Sequence, residues 1–437
     1  MQPQTSMSFM QRSIIITGIS TLAFLPSAHA KRGNRLRTAA ASDARSGSDT
    51  SGNAVLIPLQ RMPARADHDG SKHHDASFYV GNITVGEPPQ HLQVFFDTGS
   101  GHVLLPHMAC KNRSCTEHVR YSPWASSSAM DVNANGSPVQ EGSRLAKGRV
   151  RRTFATMDFT QADLGDGVAK GVLVRDHVCL SAGPEHHTSH LACADLAVLA
   201  ALQEDAMPFE SMPADGIIGL GLEGLSVSAF SNFYSRLMDN SHDVLPEFGM
   251  LLGETSGTIL FGGRASVDNV AAPLEWFPVL RPHEGFWQFE IVQVRVNGMV
   301  VEQCQHGCRA VVDSGSSHLG VQSDRQESIL NSLQSALFSD GKCNGPDLQI
   351  DLPRGLTLTL AARDYSDASC AVQLGALKLH EPQPRGVLFS LGTNVIRRYY
   401  TAFDWQAARI GFAPNEGSAP LDSNAHASAA LNELVVF

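Results

Sequence analysis

The stretch FFDTGSGHVLLP, Phe95 to Pro106, sets one carboxylate, Asp97, between an apolar run and a Gly-rich turn. Val94, Phe95 and Phe96 suit a buried strand, and Thr98-Gly99-Ser100 then makes a tight turn carrying two hydroxyls. An acid just past a buried strand is poorly solvated, so its ionised form needs hydrogen-bond donors close by. Gly99 lets backbone N–H groups approach, and the hydroxyls can donate to the outer oxygens. A weaker copy follows as AVVDSGSS, Ala310 to Ser317, with Asp313 lying 216 residues after Asp97. There Val311 and Val312 precede the acid and Ser314-Gly315-Ser316 follow it. Two similar lobes, each contributing one acid at a strand-to-turn junction, explain the repeat. If the two turns meet, both carboxylates cannot easily ionise, and the pair shares one proton. One member then takes a proton from a water held between them while the other donates one to a carbonyl oxygen. That is amide hydrolysis without a covalent intermediate.

The remainder of the chain agrees with two lobes. Its 437 residues are enough for two core-forming domains. With 43% hydrophobic residues, 17% charged residues and a net charge of -10, neither wholesale disorder nor nucleic-acid binding is expected. From Ser77 onward, short runs rich in Val, Ile, Phe and Thr alternate with Gly, Pro and Asn turns, which predicts a mostly β protein. Helical patterns are few, the best candidates being Leu225–Met238 and Arg325–Leu337. Residues 415–437 form a small, polar tail.

At the start of the chain, Arg12, the apolar run Ile14–Leu25 and Ala28-His29-Ala30 read as a signal peptide over residues 1–30; an N-terminal membrane anchor is the alternative. Residues 31–75 carry eight Lys/Arg against five Asp/Glu, a basic leader on an acidic body. That asymmetry suits a detachable segment that docks electrostatically, or a solvated linker. The eight cysteines all follow the signal segment. Pairing neighbours (Cys110 with Cys115, Cys179 with Cys193, Cys304 with Cys308, Cys343 with Cys370) is the simplest connectivity, whereas zinc-ligand spacing is lacking. Sequons at Asn82, Asn112 and Asn135 fit the same oxidising compartment.

At the two acidic turns and well beyond them, the sequence resembles the pepsin family of aspartic endopeptidases, over roughly residues 77–414. Ala214-Asp-Gly-Ile-Ile-Gly-Leu-Gly-Leu222 resembles the family's segment behind the first Asp, and Gly285-Phe-Trp-Gln288 its strand entering the second lobe. Ile396-Arg-Arg-Tyr-Tyr-Thr-Ala-Phe-Asp404 and Arg409-Ile-Gly-Phe-Ala-Pro414 resemble its C-terminal end. The resemblance implies a two-lobed, mostly β acid protease fold with the active-site cleft between a lobe at 76–273 and a lobe at 274–414. It implies Asp97 and Asp313 as the dyad, Ser100 and Ser316 bonding the outer oxygens, and Thr98 and Ser314 cross-bracing the turns. It also matches three cysteine pairs; Cys179 with Cys193 has no counterpart and rests on proximity. Peptide or protein substrates, an acidic optimum, no cofactor or metal, and a monomer in the secretory pathway, secreted or held in an acidic vacuole-like compartment, complete the expectation.

Two departures stand out. The resemblance puts Leu164-Gly165-Asp166-Gly167 at the tip of the flap, where the family usually has a Tyr, and Leu104 where it usually has a Trp. Losing both polar handles leaves a more apolar flap-side pocket, with Phe159 an alternative contributor. Asn53–Arg65 resembles the opening strand of the family's inhibitory propeptides, in which Arg61, Arg65 or Lys72 would sit between the aspartates; the alternative is an extra edge strand that stays attached. Gly219-Leu-Gly-Leu-Glu-Gly224 matches a dinucleotide fingerprint, but no alternation of strands and helices follows, and its glycines more simply permit backbone packing behind Asp97. His186, His187 and His190 lie among polar residues and read as an exposed loop. The rival to a protease is a pepsin-like lobe pair that binds peptides without cutting them; the intact turns favour the enzyme.

Overall fold

The computed structural model describes residues 14–17, 54–65, 76–139, 144–145, 149–150, 154–161, 165–181, 192–240, 244–263, 273–334, 336–337, 343–377 and 386–415. Most of residues 1–30, Lys72, Leu164, the three histidines at 186, 187 and 190, and the tail beyond 415 lie outside them. The fold is mostly β, as the alternating apolar runs predict.

One long sheet runs through both halves. In hydrogen-bonded order it passes Phe154–Gln161, Gly165–Ser181, Cys193–Glu204, Val103–Pro106, Gly216–Gly219, Gln90–Asp97, Ser77–Val85, Val55–Pro63, Ser256–Phe261, Glu247–Leu252, Tyr399–Asp404, Arg409–Pro414 and Glu275–Pro278. A separate five-stranded sheet in the second half orders Gln288–Ile291, Cys308–Val312, Val387–Leu391, Leu319–Gln322 and Leu374–Leu377. Each acid-bearing strand has a parallel partner. Gly216–Gly219 pairs with Val94–Asp97, and Val387–Leu391 pairs with Cys308–Val312.

Val55–Pro63 shows how the pattern decides the packing. Ile57 and Leu59 point inward at 0% and 3% exposure while Leu56, Pro58 and Gln60 point out, the two-residue period of a strand with one covered face. It is an inner strand, paired with Ser256–Phe261 on one side and Ser77–Val85 on the other, not an extra strand on an edge.

The main apolar core includes residues from both halves, among them Phe96, Ile218, Phe248, Trp287 and Phe403. A second cluster holds Phe78, Phe95, Leu104, Met157, Phe159, Leu199, Phe209 and Ile217 beneath the long hairpin formed by Phe154–Gln161 and Gly165–Ser181. Fully burying such a side chain contributes roughly 1.5–3 kcal/mol.

The helical expectations shift. In place of one helix over Leu225–Met238 there are 3-10 turns at Glu223–Leu225 and Ala229–Ser231, and then a helix at Phe233–Asn240. Polar side chains explain the break: Asn232 Nδ2 donates to Gly221 O, and Asn232 Oδ1 accepts the Ser235 N–H at 2.9 Å, capping the helix that follows. The second pattern forms a helix over Ser323–Ser332, beginning and ending earlier than Arg325–Leu337. All four neighbouring cysteine pairs are disulfides. Cys179–Cys193 joins directly opposed residues of two adjacent strands.

Candidate active site

The two acidic turns meet at the junction of the halves. Asp97 is fully buried and Asp313 is 7% exposed. Each carboxylate is held by its own turn in the same way. Gly99 N–H donates to Asp97 Oδ1 at 2.9 Å and Ser100 Oγ to Oδ2 at 2.5 Å. Gly315 N–H donates to Asp313 Oδ1 at 3.0 Å and Ser316 Oγ to Oδ2 at 2.9 Å. Both oxygens of each buried carboxylate therefore have a hydrogen-bond donor.

The glycines bring the carboxylates together. A Cβ on Gly99 would lie 2.5 Å from Asp313 Oδ1, and one on Gly315 would lie 2.5 Å from Asp97 Oδ1. Each inner oxygen therefore faces the other half's turn, and any side chain at either glycine would fill the gap.

Below the carboxylates the turns are laced together. Thr98 N–H donates to Ser314 Oγ at 3.0 Å, and Ser314 N–H donates to Thr98 Oγ1 at 2.9 Å. Each hydroxyl then donates across to the other half's backbone: Thr98 Oγ1 to Val312 O at 2.9 Å and Ser314 Oγ to Phe96 O at 2.6 Å. Neither buried hydroxyl is left with an unmet donor.

Behind the first turn, Gly219 N–H bonds His102 O, Leu220 N–H bonds Asp97 O and Gly221 N–H bonds Ser100 O. A Cβ on Gly219 would lie 2.6 Å from Ser100 O, so the fingerprint-like glycines serve close backbone packing and not a nucleotide. Gly392 has the matching place in the second half, with Thr393 N–H on Ser316 O at 2.8 Å. Trp287 from the second half donates its indole N–H to Leu220 O at 2.8 Å, fastening the two halves next to the site.

Three contributors had no distinct signal in the sequence. His102 is buried, and burial lowers its pKa to about 4; its Nε2 accepts the Val227 N–H at 2.9 Å. Ser226 Oγ donates to Gly101 O at 2.7 Å. Ser317 Oγ accepts the Ser77 N–H at 2.8 Å and donates to Ser77 O at 2.9 Å, tying the second turn to a strand of the first half.

The long hairpin differs in detail from the flap tip that the resemblance implies. Gln161 pairs with Gly165 and Asp166 with Thr160, so Gly165, Asp166 and Gly167 belong to the return arm, while Leu164 lies outside the described residues. Gly167 is buried there, where a Cβ would lie 1.8 Å from Met207 O. Phe159 packs on Phe209 at 5.6 Å between ring centroids. Leu104 is 2% exposed inside the cluster beneath the hairpin. Of the sequons, Asn112 and Asn135 are exposed, whereas Asn82 lies half-buried in a strand paired on both sides.

Paired carboxylates and crossed hydroxyls where two β halves meet define an acid-protease type of site. The family model described as eukaryotic aspartyl protease matches residues 78–160 and 154–415, and the chain belongs to that family. It is 27% identical over 360 residues to cathepsin E-A of Xenopus laevis, covering 77% of this chain and 79% of that one. It is likewise 27% identical over 356 residues to cathepsin E of Oryctolagus cuniculus (77% and 80%), and 28% identical over 353 residues to pepsin A of Gallus gallus (78% and 84%).

Proposed function

We propose that this chain is an active aspartic endopeptidase that cuts internal peptide bonds with a water activated between Asp97 and Asp313. One observation carries the reading: each carboxylate turns an inner oxygen toward the other half's glycine, with its outer oxygen occupied by a serine hydroxyl. A water between the inner oxygens loses a proton to one carboxylate as its oxygen attacks the scissile carbonyl carbon. The other carboxylic acid gives its proton to the carbonyl oxygen, and the C–N bond breaks as the nitrogen is protonated. The test is a mixed peptide library across pH 3 to 7 beside an Asp97→Asn control. Cleavage by wild type alone supports the proposal; equal cleavage by both, or none by either after N-terminal processing, sinks it in favour of a peptide-binding lobe pair.

An acidic working compartment on the secretory route fits the four disulfides and the exposed sequons at Asn112 and Asn135. Glu204 adds a physical argument. Burial beside the Cys110–Cys115 bridge pushes its pKa from 4.5 up to about 8. The folded state keeps a proton that the unfolded state releases, so this stabilisation is complete below pH 4.5 and is lost as pH rises toward 8. Glu204→Gln is expected to remove that loss, read as a smaller fall in Tm between pH 5 and pH 8; an unaltered fall contradicts the assignment.

A further inference from the structure

We propose that residues 54–65 are a constitutive strand of the enzyme and that Arg61 within it positions the second catalytic turn through Ser77 and Ser317. The strand is built in from both sides. Six residues pair with Ser256–Phe261 and four with the start of Ser77–Val85. Beyond it, Ala64 N–H bonds Ala76 O and Arg65 N–H bonds Ser211 O, each at 2.8 Å. Gly81 is shaped to it, because a Cβ there would lie 2.9 Å from Leu59 and 3.1 Å from Ile57. The next stretch of sequence cannot replace it: residues 66–75 read ADHDGSKHHD, with no aliphatic side chain larger than Ala66 to fill the places of Ile57 and Leu59.

Arg61 lies half-buried in this strand, its side chain 26% exposed. Its Nε donates to Ser77 Oγ at 2.9 Å, and its Nη1 donates to Glu254 O at 3.0 Å and meets Glu254 Oε2 at 3.3 Å. Ser77 in turn holds Ser317 by both backbone groups. Ser317 directly follows Ser316, whose hydroxyl sits on Asp313 Oδ2, and its carbonyl accepts the Asn394 N–H and the Thr393 hydroxyl. The guanidinium therefore fixes Ser77, Ser77 fixes Ser317, and Ser317 fixes the end of the turn that aims Asp313. Arg61 is a positioning residue in this scheme, and a loosened turn is expected to lower turnover more than substrate binding.

The kinetic part rests on the reading of Asp97 and Asp313 as a working pair; the strand's retention does not. Intact mass and N-terminal sequencing of the processed, folded protein test retention. Residues 54–65 are expected to be present, in one chain or as a peptide that leaves only on denaturation; folded, active protein lacking them overturns the proposal. Kinetics then test Arg61. Arg61→Ala and Ser317→Ala are each expected to lower kcat by about tenfold with KM within about twofold, and Ser317→Thr, which keeps the hydroxyl, to restore most of it. A rise in kcat for Arg61→Ala would mark the strand as inhibitory, and an unchanged kcat would remove the positioning role; either overturns the assignment. Wild-type protein that retains the strand yet cuts nothing, like Asp97→Asn, fails the peptidase reading and supports retention.

Discussion

The two acidic turns carry near-identical cradles on different supports. At Asp97 and at Asp313 the same four partners recur: a glycine N–H on one oxygen, a serine hydroxyl on the other, a crossed hydroxyl below and a close glycine behind. Past the serine they diverge. The first turn continues into Gly101 and the buried His102, held by Ser226 and Val227 of its own half. The second continues into Ser317, held by Ser77 of the other half. Local chemistry at a carboxylate is thus fixed by a few residues, while the frame that aims it comes from wherever the chain passes. Past its serine the first turn is braced within its own half, whereas the second is held both from its own half and across the junction.

If the cradles are equivalent in function, removing either acid should cost the same. Asp97→Asn and Asp313→Asn are each expected to lower kcat/KM by about 10³-fold or more, the scale of lost general acid-base catalysis. Comparable losses sharpen the equivalence; a tenfold gap between them would show that one carboxylate can work with a neutral partner.

The supports, by contrast, should respond differently to pH. His102 belongs to the first turn alone, and its folded pKa of about 4 lies below the 6.5 of an exposed imidazole. The unfolded state binds more protons between those values, so stability falls as pH drops from 6.5 to 4, by about 3 kcal/mol for this one group. Protonation would also place a charge where Nε2 accepts the Val227 N–H. Urea unfolding at pH 4 and pH 6.5 should show a shallower fall for His102→Gln than for wild type. Parallel curves would assign the acid sensitivity elsewhere.

How much of this was legible in the sequence follows from the range of each interaction. The acids, their glycines and their serines lie within four residues of one another, so Asp97-Thr-Gly-Ser100 and Asp313-Ser-Gly-Ser316 could be read directly. The mostly β fold was equally legible, because alternation at Ile57 and Leu59, or unbroken burial at Val94–Phe96, is a local pattern. What escaped was set by distant partners. Val55–Pro63 reads as a strand, but its inner place depends on Ser256–Phe261, about two hundred residues away, which no local pattern encodes. The helix expected at Leu225–Met238 failed because Ser226 and Asn232 spend their polar groups on Gly101 and Gly221, so side chains that face the site override helical spacing. Ser317 carries no local signal of its role, since its partner lies 240 residues back.

The crossed hydroxyls offer a finer comparison. Thr98→Val keeps the shape but leaves the buried Ser314 N–H without its acceptor and Val312 O without its donor. Ser314→Ala does the same to Thr98 N–H and Phe96 O. Each is expected to cost about 1–3 kcal/mol, read as a lowered urea midpoint at unchanged slope. Because the hydroxyls meet as one network, the double variant should cost less than the two losses added. Full additivity would mean that the turns are braced independently.

The smallest effect is expected at the ends of the turns, where the supports differ most. Ser226→Ala removes a donor to Gly101 O and an acceptor for Asn232 Nδ2, both inside the first half. A half-buried neutral pair of this kind contributes about 1 kcal/mol, so thermal unfolding should move by only a few degrees. Its effect on kcat should be smaller than that of Ser317→Ala, because the first turn still has Gly219, Leu220 and Gly221 bonded to its backbone from within its own half. The second turn also has backbone anchors at Leu391, Thr393 and Asn394, but the Ser317 hydroxyl is held by Ser77 of the other half. Equal losses of kcat in the two variants would show that aim depends on the number of bonds at a turn; a larger loss at Ser317 would show that it depends on which half supplies them.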